Sequence, residues 1–330
     1  MSDVLERVNA TAVRYRTGWV PAVVAFAIIG LPVVVTDPAQ RFLMGYVAIV
    51  CILSVSLHVL MGMAGQFSLG QAAIFGSGAY ASAWFVLETG ASVILALVVA
   101  AVVGVLVGCV MGTVAARTTE LYLALATLAF GFVAESLVRN SETLGGAQGL
   151  RGFDYHVFGQ SLLEPVALYW CAAAVLLLAM AIAASVRRGR LGRALMALRD
   201  GPVAARSVGI DTRVVQLLVF AVSGAFIAMA GALYPAYALT VDPSVFSIDL
   251  TLVVLTAAAV AGVRSMPSVL VLTIAMTVFR HQSQSWGLAS YVLLIYGVLV
   301  VLMLRFMPEG IAGIGARITR WATRNGGDAS

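Results

Sequence analysis

The run Phe42-Leu43-Met44-Gly45-Tyr46-Val47-Ala48-Ile49-Val50-Cys51-Ile52-Leu53-Ser54-Val55-Ser56-Leu57-His58-Val59-Leu60-Met61-Gly62-Met63 contains no Asp, Glu, Arg or Lys over 22 residues. As an α-helix rising about 1.5 Å per residue, it is long enough to cross a hydrocarbon core about 30 Å thick. The pattern recurs along the chain. Of 330 residues, 61% are hydrophobic and 11% charged, against about 25% charged in a soluble domain. The charges vanish from long stretches and collect in short ones, as expected where each ionised group in hydrocarbon costs kilocalories. The fold class is all-α, a polytopic membrane helix bundle.

Working outward from residues 42–63, further apolar runs fall near 19–35, 65–87, 91–115, 121–138, 166–186, 214–234 and 288–303. Two shorter ones, about 250–263 and 268–279, are near or below spanning length and are read as two spans or as a re-entrant pair. The count is therefore eight to ten transmembrane helices. Pro235, Asp242 and Asp249 are expected to mark the loop after the seventh span. Residues 1–18 form a cytoplasmic N-terminal segment, 19–304 the membrane domain, and 305–330 a cytoplasmic tail. The first apolar run ends without a small-x-small cleavage pattern, so it is retained as a span rather than a signal peptide.

Charge sets the orientation. All the basic residues are Arg, and Arg187, Arg188, Arg190, Arg193, Arg199, Arg206 and Arg213 crowd into one connection. With an internal N-terminus, that connection, the Arg117 turn and the C-terminal tail all fall in the cytoplasm, as the positive-inside rule requires. The Asp37, Glu88, 139–165 and Asp242 loops then fall outside. The absence of Lys excludes a P-loop, whose Lys reaches the nucleotide phosphates. No basic patch interleaved with aromatics suggests nucleic acid. Cys51, Cys109 and Cys171 have no metal-ligand spacing and read as small hydrophobes, so neither a metal nor a cofactor is expected.

Two segments carry helix-packing chemistry. Gly104, Gly108 and Gly112 recur every fourth residue and share one helix face, suited to close backbone approach. The 65–87 run is dense in Gly, Ala and Ser, with Gln66 and Gln71 near its start. Small residues there permit tight packing, and also a broken helix that lines a cavity. Polar groups at membrane depth are scarce. Gln66, Ser68, Gln71, Thr127 and Glu135 are the candidates for a substrate path. An ion-coupled transporter would place ionisable groups mid-membrane. Glu135 and His58 are its only candidates, and Glu135 lies within a turn of the end of its span.

Gly65-Gln66-Phe67-Ser68-Leu69-Gly70-Gln71-Ala72-Ala73-Ile74-Phe75-Gly76-Ser77-Gly78-Ala79-Tyr80 resembles the LivM-type permeases of branched-chain amino acid ABC importers. So do Leu121-Tyr122-Leu123-Ala124-Leu125-Ala126-Thr127-Leu128-Ala129-Phe130-Gly131, the loop Gly145-Gly146-Ala147-Gln148-Gly149-Leu150, and Gly192-Arg193-Ala194-Leu195-Met196-Ala197-Leu198-Arg199 followed by Ala204-Ala205 and Gly209-Ile210. The tail Phe306-Met307-Pro308-Glu309-Gly310-Ile311 also fits. The order of the segments, more than any one of them, carries the likeness. Three departures stand out: Val203 where the family has an acid, Gln71 where His is common, and an eroded Gly-rich turn at 261–267.

The resemblance implies a non-catalytic permease subunit in a bacterial inner membrane. Its implied partners are a LivH-like second permease, two ATPase subunits and a periplasmic substrate-binding protein. The family also serves urea, short amides and organic acids, so the cargo stays open. Residues 187–213 correspond to the segment that docks into the ATPase. Pro202 suits the first turn of a short helix. Ala204, Ala205 and Val208 are expected to share one docking face, with Arg206 pointing away and Gly209 ending the helix.

Overall fold

The computed structural model describes residues 37–306, apart from 119, 158, 263–264 and 288–290. The expected segment 1–18, the span 19–35 and the tail beyond 306 lie outside the described residues.

Helix α1 (Pro38–Leu57) opens where the Asp37 carboxylate accepts the Ala39 N–H at 3.2 Å, with Pro38 in the first turn. It runs on into a π-helical turn, His58–Met63. There follow α2 (Gln71–Thr89), α3 (Val93–Ala115), α4 (Glu120–Arg139) and α5 (Pro165–Arg188). Two short helices come next, α6 (Arg190–Asp200) and α7 (Pro202–Ser207). The chain then forms α8 (Thr212–Ala238), α9 (Ile248–Ala261), α10 (Met266–Ser285) and α11 (Val292–Phe306).

Among the described residues, six segments are long and apolar enough to cross a membrane: Pro38–Met63, Val93–Ala115, Leu121–Arg139, Pro165–Arg188, Thr212–Ala238 and Pro243–Ala261. The chain is thus a multi-pass, all-α membrane protein. Helices α2, α10 and α11 make up the rest of the bundle. Polar and small residues dilute α2, Arg280 to Ser285 dilute α10, and α11 has only 15 residues.

Two sequence expectations change. Of the residues expected to mark the loop after the seventh span, Asp249 lies in the first turn of α9, and Pro235 lies inside α8, in its last turn. A proline there removes one late hydrogen bond, which the packed helix tolerates. The run expected at 268–279 is a helix of 20 residues. At 1.5 Å per residue that reaches about 30 Å, so α10 can cross where a dipping segment need not. Its polar last turns hid this length from a reading based on hydropathy.

Helix α8 is the axis of the bundle, and glycines bring its neighbours to backbone contact. A Cβ on Gly104 would stand 2.2 Å from the Gly224 carbonyl oxygen, and one on Gly108 would stand 2.3 Å from that of Phe220. A Cβ on Gly112 would approach the Leu217 Cα to 2.9 Å. The expected glycine face of α3 is therefore its seam with α8. On the other flank, Gly78 of α2 lies against Ala228 and Gly231 of α8 lies against Phe75. Helix α1 packs on α5, α8 and α10.

At one end of the bundle, residues 140–164 fold into a cap. Strands β1 (Leu150–Arg151) and β4 (Thr240–Val241) pair antiparallel, as do β2 (His156–Val157) and β3 (Gln160–Ser161). The glycine-rich loop is needed for this. Gly149 has φ +70°, and a Cβ there would lie 2.0 Å from the Val241 carbonyl oxygen. Tyr155 is fully buried, and its hydroxyl meets the Ser82 hydroxyl of α2 at 3.0 Å. Burial pushes the Tyr155 phenol above its usual range, while the hydrogen bond to Ser82 pulls the other way. The opposite end of the bundle carries α6 and α7.

Candidate translocation and coupling sites

The candidate site is built around a break in the chain. The wide π-helical turn ending α1 gives way to residues 64–70, which are not helical, before α2 starts at Gln71. Such π-turns mark functional positions in helices more often than chance. Gly65, at φ +68°, turns the chain. Its missing Cβ leaves room for the Arg199 stem, whose Cγ would otherwise stand 2.9 Å away. Within a bilayer, backbone freed from a helix must find partners inside the protein. Here it does. The Leu69 N–H donates to the Thr127 hydroxyl at 3.1 Å, and that hydroxyl donates to the Ala124 carbonyl at 3.0 Å. The Ala72 N–H donates to the Thr251 hydroxyl at 3.1 Å, and the Gly70 N–H to the Ser68 hydroxyl at 3.3 Å.

The structure thus brings Gln66, Ser68, Gln71 and Thr127 to one break, all buried. Gln71 differs from the others. It is 1% exposed, and neither its amide nitrogen nor its amide oxygen has a hydrogen-bond partner among the described residues. An unpaired buried amide costs on the order of 1–3 kcal/mol. Glu135 stands apart from this group. It pairs with Arg139 one turn on, at 2.6 Å and partly exposed, at the cap end of α4. It therefore offers no isolated carboxylate to an ion-coupled mechanism.

Thr251, Gln216 and the pair Ser54–Thr273 were missed in the sequence. Thr251 caps the break from α9. The Gln216 amide donates to that of Gln66 at 3.4 Å from α8. Ser54 and Thr273 share a hydrogen bond of 2.8 Å between α1 and α10. Each is a single hydroxyl or amide in an apolar run, with no local pattern to set it apart.

The α6–α7 end ties to the same break. The Arg199 guanidinium donates to the Gly62 carbonyl, in the π-helical turn. Pro202 stands in the first turn of α7, as expected. Gly209 follows the helix at φ +82°, and the Ile210 N–H returns to the Ala205 carbonyl at 3.1 Å. The expected common face divides. Ala205 is buried against the protein, whereas Ala204, Arg206, Val208 and Gly209 are exposed. Val203 and Val208 are 77% and 73% exposed. The two valines, with Ala204, form an apolar surface on and just after α7.

A membrane-embedded bundle, interrupted at a polar break and carrying a short amphipathic handle at one end, defines a transport protein of the permease class. The family described as branched-chain amino acid transport system / permease component matches residues 41–304, and the chain belongs to it. The high-affinity branched-chain amino acid transport system permease protein LivM of Escherichia coli K12 is 28% identical over 285 residues, covering 79% of this chain and 67% of LivM. LivM of Salmonella typhimurium LT2 is similar to the same extent. The permease LivH of Salmonella typhimurium LT2 is 28% identical over 156 residues, covering 47% of this chain and 50% of LivH. No solved structure is significantly similar.

Proposed function

We propose that this chain is a membrane-spanning subunit of an ATP-driven importer for branched-chain or related amino acids in a bacterial inner membrane. The observation that carries the reading is the break at residues 64–70 with the unpaired amide of Gln71 beside it. A zwitterion crossing a bilayer needs polar partners at depth, and a preformed, already desolvated amide supplies them without a further penalty. Family membership and the relatives named LivM support the amino-acid cargo. Urea, short amides or organic acids are the alternative cargo.

In this reading the chain pairs with a LivH-like permease and receives cargo from a periplasmic binding protein. Two separate ATPase subunits supply the energy. Val203, Ala204 and Val208 dock α7 into an ATPase groove, with Arg206 at its edge and Gly209 allowing close approach. Arg199 carries the movement of α6 and α7 to Gly62 and Gly65, at the mouth of the break.

The test is reconstitution with a LivH-like permease, two ATPase subunits and a periplasmic binding protein from the same source. ATP-dependent uptake of leucine that disappears without the ATPase subunits is the expected result. Uptake driven by a proton or sodium gradient alone would overturn it.

A further inference from the structure

At the α6–α7 end, a cleft of about 620 Å³ lies directly beneath the break. Gly65 and Gln66 border it, with Thr118 after α3, Gln216 of α8, and the arginines Arg199, Arg206 and Arg213. Volumes of roughly 300–1,000 Å³ are typical of small-molecule sites.

The charge in the cleft is one-sided. Asp211 is the only acid among the described residues that line it. One of its carboxylate oxygens already accepts the N–H groups of Arg213 and Val214, at 3.0 and 3.3 Å, where it caps α8. Arg199 is engaged with the Gly62 carbonyl. Arg206 and Arg213 take part in no ion pair among the described residues. The positive end of the α8 dipole adds to their field. Gln66 is 9% exposed, and its bond to Gln216, at 3.4 Å, is long enough to be given up to a ligand. A concave site with two available guanidinium groups, amides on its inner wall and little opposing charge selects a small anion.

We propose that this cleft binds the carboxylate of the cargo as it leaves the membrane, so that accumulated cargo occupies the exit and slows further import. The proposal rests on the importer reading above. Arg206 and Arg213 hold the carboxylate, and Gln66 and Gln216 exchange their mutual bond for bonds to the ligand. Gln66, in the same non-helical segment that precedes Gln71, lines the cleft.

The experiment uses the fully assembled complex in vesicles, with Cys51, Cys109 and Cys171 replaced by Ala and a single thiol introduced by Thr118→Cys on the rim of the cleft. The rate of maleimide labelling from the α7 side is followed with L-leucine, 4-methylpentanoate (no amine) or isoamylamine (no carboxylate). The two acids should slow labelling several-fold and the amine should not. Arg213→Gln should abolish the protection, and Arg213→Lys should restore part of it. Equal protection by isoamylamine, no protection by either acid, or protection unchanged in Arg213→Gln would overturn the proposal. So would protection seen only when the ATPase subunits are left out, since a side chain of the ATPase would then own the cleft. Leucine uptake in the same vesicles is a separate readout. Protection without ATP-driven uptake removes the importer reading and leaves the site. Uptake without protection does the reverse.

Discussion

Gly78 and Gly131 are both glycines inside apolar helices, yet they bear different loads. A Cβ on Gly78 would stand 2.2 Å from the Ala228 carbonyl oxygen, a backbone atom that cannot step aside. A Cβ on Gly131 would meet only the Ala73 Cβ, at 4.0 Å. Gly78→Leu should therefore cost more than the roughly 1–3 kcal/mol of ordinary overpacking and abolish a correctly assembled bundle. Gly131→Ala should be tolerated, and can gain about 0.5–1 kcal/mol in helix propensity. Fluorescence-detected size exclusion and uptake measure both; normal behaviour of Gly78→Leu would mean that α2 and α8 do not touch. Tyr155→Phe removes one buried hydroxyl but leaves Ser82 bonded to the Ala79 carbonyl. A loss of about 1 kcal/mol is expected in thermal unfolding of the detergent-solubilised protein. No change would show that the cap is held by packing alone. At this scale the sequence is legible where residue type meets a backbone demand, as at Gly104, Gly108 and Gly112. It is silent where a lone hydroxyl such as Thr251 finds its partner across 179 residues of chain.

Helix α7 has six residues, too few to hold together alone in water. The Ala205 N–H bond to the Gly201 carbonyl, 2.9 Å, only closes its own first turn; the burial of Ala205 is what fastens it to the bundle. Val203→Glu combined with Val208→Glu should leave insertion intact and lower ATP-driven uptake roughly tenfold, the effect of about 1.4 kcal/mol at an interface. Ala205→Glu should instead lower the yield of folded protein, because it forces a charge into packed surroundings. Equal uptake by the double variant and the parent would place ATPase docking elsewhere. Pro202 and Gly201 made the start of this helix legible in the sequence. The direction in which Ala205 points was not, because a helix this short has no periodicity from which to read a buried face. The break before α2 was legible as an option through its glycines. Its π-helical start was not, since the partners there come from distant parts of the chain: Arg199 bonds the turn at Gly62, and Thr127 bonds the following segment at Leu69.

The whole molecule has two unlike ends. One carries the β-paired cap and Asp242, the other the Arg-rich α6–α7 segment. The positive-inside rule leads us to propose that the Arg-rich end faces the cytoplasm. Reporter fusions at Gln160 should read outside and those at Ser330 inside; an external Ser330 would invert the account. The apolar runs made the bundle and its packing seams legible. The number of crossings was less so, because α2 and α10 mix polar with apolar residues and hydropathy undercounts them. The central claim is that cargo passes the break beside Gln71. A lone thiol at Gln71→Cys, in the assembled importer with the chain's own cysteines replaced, tests it most directly. The account predicts labelling from the α7 side in one nucleotide state and from the cap side in another, with leucine blocking both. Gln71→Cys that stays unlabelled in every state, or is labelled equally with and without leucine, would contradict it.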